Sequence, residues 1–358
     1  MKHSLTEAFQ VSQPSLGQAP RDYNAVGMDC NPPLMATYQS LFISKNNHQE
    51  PLNTDQTMVA VEECELPLID LSLLYGTNLE AQQCKRNITD AASGWGFFQV
   101  VNHGISTQLL QRVREEQVNV FRQPFEKKVK KKFLDFSPDS YRWGTPTATD
   151  IEQLSWSEAY HIPLTPATEA TKVSTRYIIE ECSAAMSRLA HQLAGILTEG
   201  FGDEGGYIKE KCTYDTCYLR LNRYPPCPVP GAFGLIPHTD SDFLTILFQD
   251  QVGGLQLMKG NAWLTVKPNP NALIINIGDL FQAWSNGLYK SVEHRVMTNA
   301  KLERYSVAYF LCPSYDTVIQ SFVEPGIYRK FSFGEYREKI KEDVRVMGRK
   351  IGLSRFLA

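Results

Sequence analysis

Long apolar runs are missing from this sequence. No stretch of its 358 residues approaches the roughly 18 consecutive apolar residues of a membrane-crossing helix, and Ala272–Ile277 is typical of the longest runs. The N-terminus, MKHSLTEAFQVSQPSLGQAP, has no apolar signal core, so a secretory address is not expected and the expected setting is cytoplasmic. A large excess of one charge is missing too. Lys and Arg number 36 against 39 Asp and Glu, a net charge of −3, so nothing in the bulk electrostatics asks for nucleic acid or a membrane surface. The eight cysteines nowhere form a CxxC pair, which excludes a zinc ribbon; without a secretion signal a disulfide framework is not expected either. Internal repeats and low-complexity tracts are absent. What is present is an ordinary globular composition, 42% hydrophobic and 21% charged, enough to build a sizeable core and to exclude wholesale disorder.

The texture changes along the chain. Residues 1–62 are polar and rich in Gln, Asn, Ser and Pro, and are expected to form a mostly irregular arm across the folded body. Residues 63–170 alternate short strands and helices: a strand at Leu66–Leu71, a helix over Leu79–Ala92, a glycine-bounded strand within Gly94–Gly104 and a helix over Ile105–Phe121. The basic run Glu126–Lys132 reads as a solvated helix face rather than a nucleic-acid patch. In the unit 171–213 a long amphipathic helix spans Thr171–Phe201 and ends in glycines. From Cys217 the chain breaks into short strands at 218–224, 244–248, 255–258, 263–266, 272–277, 291–296 and 305–311, separated by Pro, Gly and Asn turns. Such spacing suggests a β-sandwich or jelly roll over 214–320, followed by a helical extension over 321–358 with a helix at Phe333–Gly348.

Of seven histidines, His238 begins the tripeptide His238-Thr-Asp240 in this strand-rich half, and His294 follows Asp240 by 54 residues. Side chains at i and i+2 of a strand share a face, so His238 and Asp240 can grip one ion. Two imidazoles and a carboxylate on one face leave open positions, the donor set of non-haem iron oxygenases. Alone, an HxD tripeptide is weak. Arg304 and Ser306, ten and twelve residues after His294, strengthen it by offering a guanidinium and a hydroxyl from one strand face to one carboxylate. Asn222 and Tyr224 share a face in the same way. Together these groups suit a dicarboxylate, one end on the metal and the far end on Arg304 and Ser306.

The motifs LPLIDLS, GWGFFQVVNHGI, LRLNRYPPCP, IPHTDSDFLTILFQDQVGGLQL, NIGDLFQAWSNGLYKSVEHRV and RYSVAYFL resemble, in order, those of the plant 2-oxoglutarate- and Fe(II)-dependent dioxygenases, from about Leu66 to Leu357. Within that family YRWGTPTATDIEQLSWSEAYHIPL, CYLRLNRYPPCP and KIGLSRFL look like the gibberellin 2-oxidases that act on twenty-carbon gibberellins. Arg223, where many relatives carry an aromatic, departs from them as that subgroup does.

The resemblance implies an α+β chain with a mostly β core. That core is a double-stranded β-helix (jelly roll) preceded by a helical and mixed N-terminal region and followed by a C-terminal helix. It implies iron on His238, Asp240 and His294, and 2-oxoglutarate on Arg304, Ser306 and Tyr224 with Asn222 beside them. It implies O2 as oxidant, ascorbate to keep the iron ferrous, and a 2β-hydroxylation that inactivates the hormone or its precursors. A gibberellin is a rigid apolar carboxylic acid, so its pocket needs aromatic walls and a cation. Strand alternation turns Arg220 inward with Asn222 and Tyr224, while Leu219, Leu221 and Arg223 face outward. Arg220 is the candidate for the substrate carboxylate, the alternative being an internal salt bridge. Phe310, Phe243, Tyr141, Trp143 and Trp156 are candidate walls. The competing readings are a sister dioxygenase acting on a flavonoid, another hormone or an alkaloid, a ligand-binding relative without turnover, and a zinc hydrolase. In the last of these the carboxylate-anchoring strand has no role.

Overall fold

From Tyr218 onward the chain follows the period of two that strands impose, and each face of that alternation has its own destination. The structure is a computed structural model describing residues 29–47, 61–130, 140–164, 174–203 and 206–358. Its strands in chain order are β1 (Glu63–Cys64), β2 (Leu68–Asp70), β3 (Phe97–Val101), β4 (Tyr141–Trp143), β5 (Glu158–Pro163), β6 (Tyr218–Tyr224) and β7 (Phe233–His238). They continue with β8 (Leu244–Gln249), β9 (Leu255–Lys259), β10 (Ala262–Val266), β11 (Leu273–Ile277), β12 (His294–Met297) and β13 (Arg304–Leu311). An eight-stranded sheet in the order β2-β3-β11-β8-β13-β6-β5-β4 faces a five-stranded sheet in the order β1-β10-β9-β12-β7, the jelly roll the turn spacing suggested. A small ribbon of β14 (Val318–Ile319) and β15 (Phe331–Ser332) lies near the C-terminus.

Leu219, Leu221, Val307, Tyr309 and Leu311 turn out of the barrel and form one buried cluster with Cys84, Val113, Met186 and Leu193. Those partners sit on the helices α3 (Asn78–Gly94), α4 (Thr107–Phe121) and α6 (Ser174–Glu199), which cover the outer face of the large sheet. Helix α3 starts where it does because Thr77 and Glu80 cap each other's backbone N–H groups. Phe97, Tyr224 and Ile274 turn inward and meet Leu255, Leu257 and Val296 of the small sheet. At roughly 1.5–3 kcal/mol per buried aliphatic side chain, these two clusters fix which face of each strand is inside.

Some elements escaped the turn pattern, the β14–β15 ribbon among them. Strand β7 contains Gly234 and Pro237, which read as turn chemistry, and α8 (Asp279–Trp284) is too short and too uniformly apolar to show a helical period. The strand expected at 291–296 is β12, which starts at His294. The N-terminal segment is less irregular than expected: residues 29–47 hold α1 (Leu34–Thr37) and α2 (Gln39–Asn47), while most of the rest of the arm lies outside the described residues.

The basic run is solvated as expected at Glu126, Lys127, Val129 and Lys130, with one exception, Lys128. Helix α5 (Phe125–Lys128) is a single turn whose last residue is buried, with Lys128 Nζ 2.5 Å from Glu158 Oε2 and donating to the carbonyls of Cys30 and Phe121. Arg223 does face out of the barrel, yet it reaches the same buried carboxylate (2.6 Å to Glu158 Oε1), Glu303 and Asn31. One fully buried glutamate thus draws both cations inward, because an unpaired buried charge costs several kcal/mol. Lys131 and Lys132 lie outside the described residues. The remaining helices are α7 (Gly206–Lys211) and α9 (Phe333–Met347). Among the described residues no helix is long and apolar enough to cross a membrane.

Candidate active site

β12 pairs antiparallel with β7 so that His294 sits directly opposite His238, and the two imidazole centroids are 4.3 Å apart. Strand β7 stops at His238, and Asp240 lies beyond it in the turn toward β8. The expected trio therefore meets by a different route: a turn, not the pleat, brings the carboxylate round. The Nε2 atoms of His238 and His294 are 3.6 and 3.8 Å from Asp240 Oδ1. The three ligand atoms all lie within 4.8 Å of one another, close enough to surround one metal ion.

The protonation pattern fits ligation. Nδ1 of His238 and of His294 lies 2.9 and 3.0 Å from the carbonyls of Ile236 and Val292, which assigns the ring proton to Nδ1 and points the Nε2 lone pairs at the common centre. Burial, and then His294, push His238 well below the usual imidazole range, so it is neutral. Burial alone would raise Asp240, yet its pKa lies below the usual carboxylate value, helped by the hydrogen bonds that Thr245 and Asn276 donate. Two imidazoles and a carboxylate gathered around one point suit ferrous iron.

Thr245 and Asn276 were not singled out from sequence. Thr245 Oγ1 and Asn276 Nδ2 each donate to Asp240 Oδ2 at 2.6 Å, leaving Oδ1 turned toward the imidazoles. The available signal was a lone polar residue in each of two apolar strands, LTILF and LIINI. Gly278 is required nearby, since a Cβ there would collide with the backbone and carboxylate of Asp242.

Strand register orders the inner face in rungs about 6.6–6.8 Å apart. The rung Tyr218, Phe310, Thr245, Asn276 and Phe97 borders the metal trio, and Phe97 packs edge-on to His294. Next comes His161, Arg220, Ala308 and Leu247; then Asn222, Ser306 and Gln249; then Tyr224 and Arg304. The expected inward set Arg220, Asn222, Tyr224, Arg304, Ser306 and Phe310 does share one face. Arg304 is 2% exposed, lies over the Tyr224 ring at 4.9 Å and donates from Nη2 to Gln249 Oε1 at 2.7 Å. Its Nε and Nη1 are buried with no hydrogen-bond partner, and no carboxylate among the described residues pairs with it. Ser306 Oγ accepts from Asn222 Nδ2 at 3.4 Å. A buried cation with two idle donors fits the far carboxylate of a dicarboxylic acid.

On the β5 side, Phe310 stacks on Tyr218 (4.4 Å between centroids) and Tyr218 meets His161 at 4.2 Å with a 30° tilt, a ladder of rings across three strands. Arg220 stands on the His161 rung and forms no ion pair with a described residue, so the internal salt bridge is not found there. Arg142, opposite Ala159 on β4, shares this face, and Arg337 approaches from α9. Burial, followed by the charges of Arg220, Arg337 and Arg142, pushes His161 down to about 3. The result is an apolar shelf with a cationic end.

Four candidate walls are corrected. Tyr141 and Trp143 sit on the opposite face of β4, where the Tyr141 hydroxyl donates to Glu158. Trp143 and Trp156 are buried in a satellite cluster with Leu34 and Tyr38, under the N-terminal segment. Phe243 packs on Phe281 and Tyr207 in the helix-side core. Large aromatics near a motif in sequence went to whichever side offered the most apolar area.

Residues 215–313 match the 2OG-Fe(II) oxygenase superfamily, and residues 66–178 match the N-terminal region described as non-haem dioxygenase in morphine synthesis. The chain is 54% identical over 336 residues to gibberellin 2-beta-dioxygenase 8 of Arabidopsis thaliana, covering 91% of this chain and 98% of that protein. It is 55% identical over 345 residues to gibberellin 2-beta-dioxygenase 5 of Oryza sativa subsp. japonica, covering 94% and 98%. Among solved structures it is similar to JOX2 in complex with 2OG, Fe and JA, with TM-score 0.70, 33% identity, and coverage of 83% of this chain and 90% of that one.

Proposed function

The chain belongs to the Fe(II)- and 2-oxoglutarate-dependent dioxygenases as a close relative of the gibberellin 2-beta-dioxygenases, and from that premise we propose that it hydroxylates gibberellins, twenty-carbon ones first, at the 2β position and so inactivates them. The observation that carries the oxygenase reading is Arg304, a buried guanidinium with two unpartnered nitrogens on the inner face that leads to the His238, Asp240 and His294 trio. The substrate class rests on the near full-length likeness to the two gibberellin 2-beta-dioxygenases, supported by the ring shelf with its arginines.

His238, Asp240 and His294 would hold the iron, with Thr245 and Asn276 fixing which carboxylate oxygen is offered. Arg304 and Ser306 would take the far carboxylate of 2-oxoglutarate. Tyr224 lies under the guanidinium, Gln249 orients it, and Asn222 steadies the serine hydroxyl. When bound, iron and 2-oxoglutarate supply the oxidation: one atom of O2 enters a substrate C–H bond and the other enters succinate, with release of CO2. Ascorbate is the expected reductant that keeps the metal ferrous. Phe310, Tyr218 and His161 would carry the apolar skeleton, and Arg220, with Arg142 and Arg337 behind it, its carboxylate. A neutral His161 leaves that anion to the arginines.

Incubation with Fe(II), ascorbate, 2-oxoglutarate and a panel of nineteen- and twenty-carbon gibberellins tests the reading. Mass spectrometry is expected to show a product heavier by one oxygen, matched by succinate. Oxygenation of a flavanone or jasmonate but of no gibberellin would move the chain to a sister activity. No 2-oxoglutarate decarboxylation with any substrate would leave a binding protein.

A further inference from the structure

The C-terminal motif KIGLSRFL has no part in the chemistry above, yet its lysine is not a surface residue. The Lys350 side chain is 11% exposed, and its ammonium uses all three donors: Asp279 Oδ2 at 2.5 Å, the Thr239 carbonyl at 2.9 Å and Ser241 Oγ at 2.8 Å. Thr239 lies between the candidate ligands His238 and Asp240, and Ser241 follows them. On the same Oδ2, Asp279 also accepts from Thr239 Oγ1 at 3.0 Å and from the Tyr336 hydroxyl of α9. The Asp279 backbone N–H donates to the Asp240 carbonyl at 3.0 Å. Gly352, at φ +73°, lets the tail fold back here: a Cβ would sit 3.2 Å from Lys350 Cε.

The need for such a grip follows from the sheet. Strand β7 ends at His238, so the ladder does not fix the turn that carries Asp240. From inside the barrel Thr245 and Asn276 hold its carboxylate. From outside, the carbonyl and hydroxyl of Thr239, the hydroxyl of Ser241 and the carbonyl of Asp240 are all held by Asp279 and Lys350. Asp279 is buried and the Lys350 side chain is 11% exposed, arriving from the far end of the chain.

We propose that Lys350, with Asp279 and Tyr336, is a positioning residue for the metal-binding turn, through which the C-terminal segment sets the angle between His238 and Asp240. The proposal rests on those residues being metal ligands. It differs from a merely structural tail contact because it makes metal affinity, not only stability, depend on the ammonium. Partners that orient first-sphere ligands alter metal affinity by about 10- to 100-fold when removed.

The test titrates metal-free full-length protein with Co(II), following the ligand-field absorption band, for wild type, His238→Ala, Tyr336→Phe and the double variant Lys350→Met/Asp279→Asn. The double variant removes both charges of the pair together and so avoids stranding Asp279; Tyr336→Phe removes only a hydroxyl. The double variant, at near wild-type melting temperature, is expected to bind Co(II) about 10- to 100-fold more weakly with a shifted band. Tyr336→Phe should show a smaller loss of the same kind. Folded variants that bind Co(II) with wild-type affinity and spectrum overturn the proposal, and Tyr336→Phe decides it if the double variant does not fold. Wild-type behaviour of His238→Ala would instead overturn the ligand assignment on which it rests.

Discussion

Arg304→Met keeps much of the volume of a side chain that is 2% exposed and deletes its charge. In the free protein the guanidinium has one hydrogen bond, to Gln249, and the face of Tyr224, while Nε and Nη1 have no partner. A cation held in that state bears a desolvation penalty of several kcal/mol that its few contacts do not offset. Removing it should therefore leave the stability of the protein without cosubstrate unchanged or raised, unlike the roughly 2–5 kcal/mol loss expected when a well-packed buried side chain is truncated. Binding should respond in the opposite sense. Deleting one partner of a buried, hydrogen-bonded charge pair costs about 2–5 kcal/mol, or about 30- to 4000-fold in the Kd for 2-oxoglutarate at 1.4 kcal/mol per decade. Cosubstrate at 100 times the wild-type Kd stabilises wild type by about 2.7 kcal/mol. At the same concentration the variant would gain at most about 0.9 kcal/mol. For a chain of this size each kcal/mol is worth roughly 1–2 °C in Tm. A thermal-shift titration with Mn(II) and 2-oxoglutarate should show about 3–5 °C for wild type and about 2 °C or less for the variant. A Kd within about threefold of wild type, or an apo Tm lower by more than about 5 °C, would show that the guanidinium is neutralised within the free protein and refute the reasoning.

Arg220→Leu should raise KM for a gibberellin about 10- to 100-fold, the worth of a partly buried charge pair, and leave Tm and the Kd for 2-oxoglutarate unchanged; an unchanged KM in a folded variant removes Arg220 from substrate binding. Glu158→Gln strands Lys128 and Arg223 with one charge too few, so a loss of about 3–5 kcal/mol is expected, read as a Tm drop of roughly 4–8 °C. A variant within 1–2 °C of wild type would mean that the two cations find water instead. His161, pushed down to about 3 in the fold, must stay neutral there while the unfolded chain takes up a proton near 6.5. Its contribution to stability is therefore fully present above that unfolded pKa and is lost as pH falls from about 6.5 toward 3, by roughly 2 kcal/mol at pH 5. Denaturant unfolding of His161→Phe at pH 7 and pH 5 should show that much less acid-side loss than wild type, and an equal loss would mean that the ring is charged in the fold.

Local periodicity by itself determined a good deal of this molecule. The alternation of LRLNRY and RYSVAYF placed Arg220, Asn222, Tyr224, Arg304, Ser306 and Phe310 on one face and the leucines on the other, because successive side chains of a strand must diverge. His238, Asp240 and His294 were legible from residue chemistry, although the turn after β7 rather than the pleat unites them. Tertiary structure alone decided what covers each face. Tyr141, Trp143, Trp156 and Phe243 stand beside the motifs in sequence but pack away from the metal trio, and Lys128 left its basic run for a glutamate thirty residues on. Thr245 and Asn276 steady one ligand from strands beyond the HxD turn, while Lys350 reaches the turn from 111 residues away. Such pairings follow from sheet register and from burial summed over the whole core. A short window of sequence records which side chains share a face, but not which distant partner the close-packed interior presses against them.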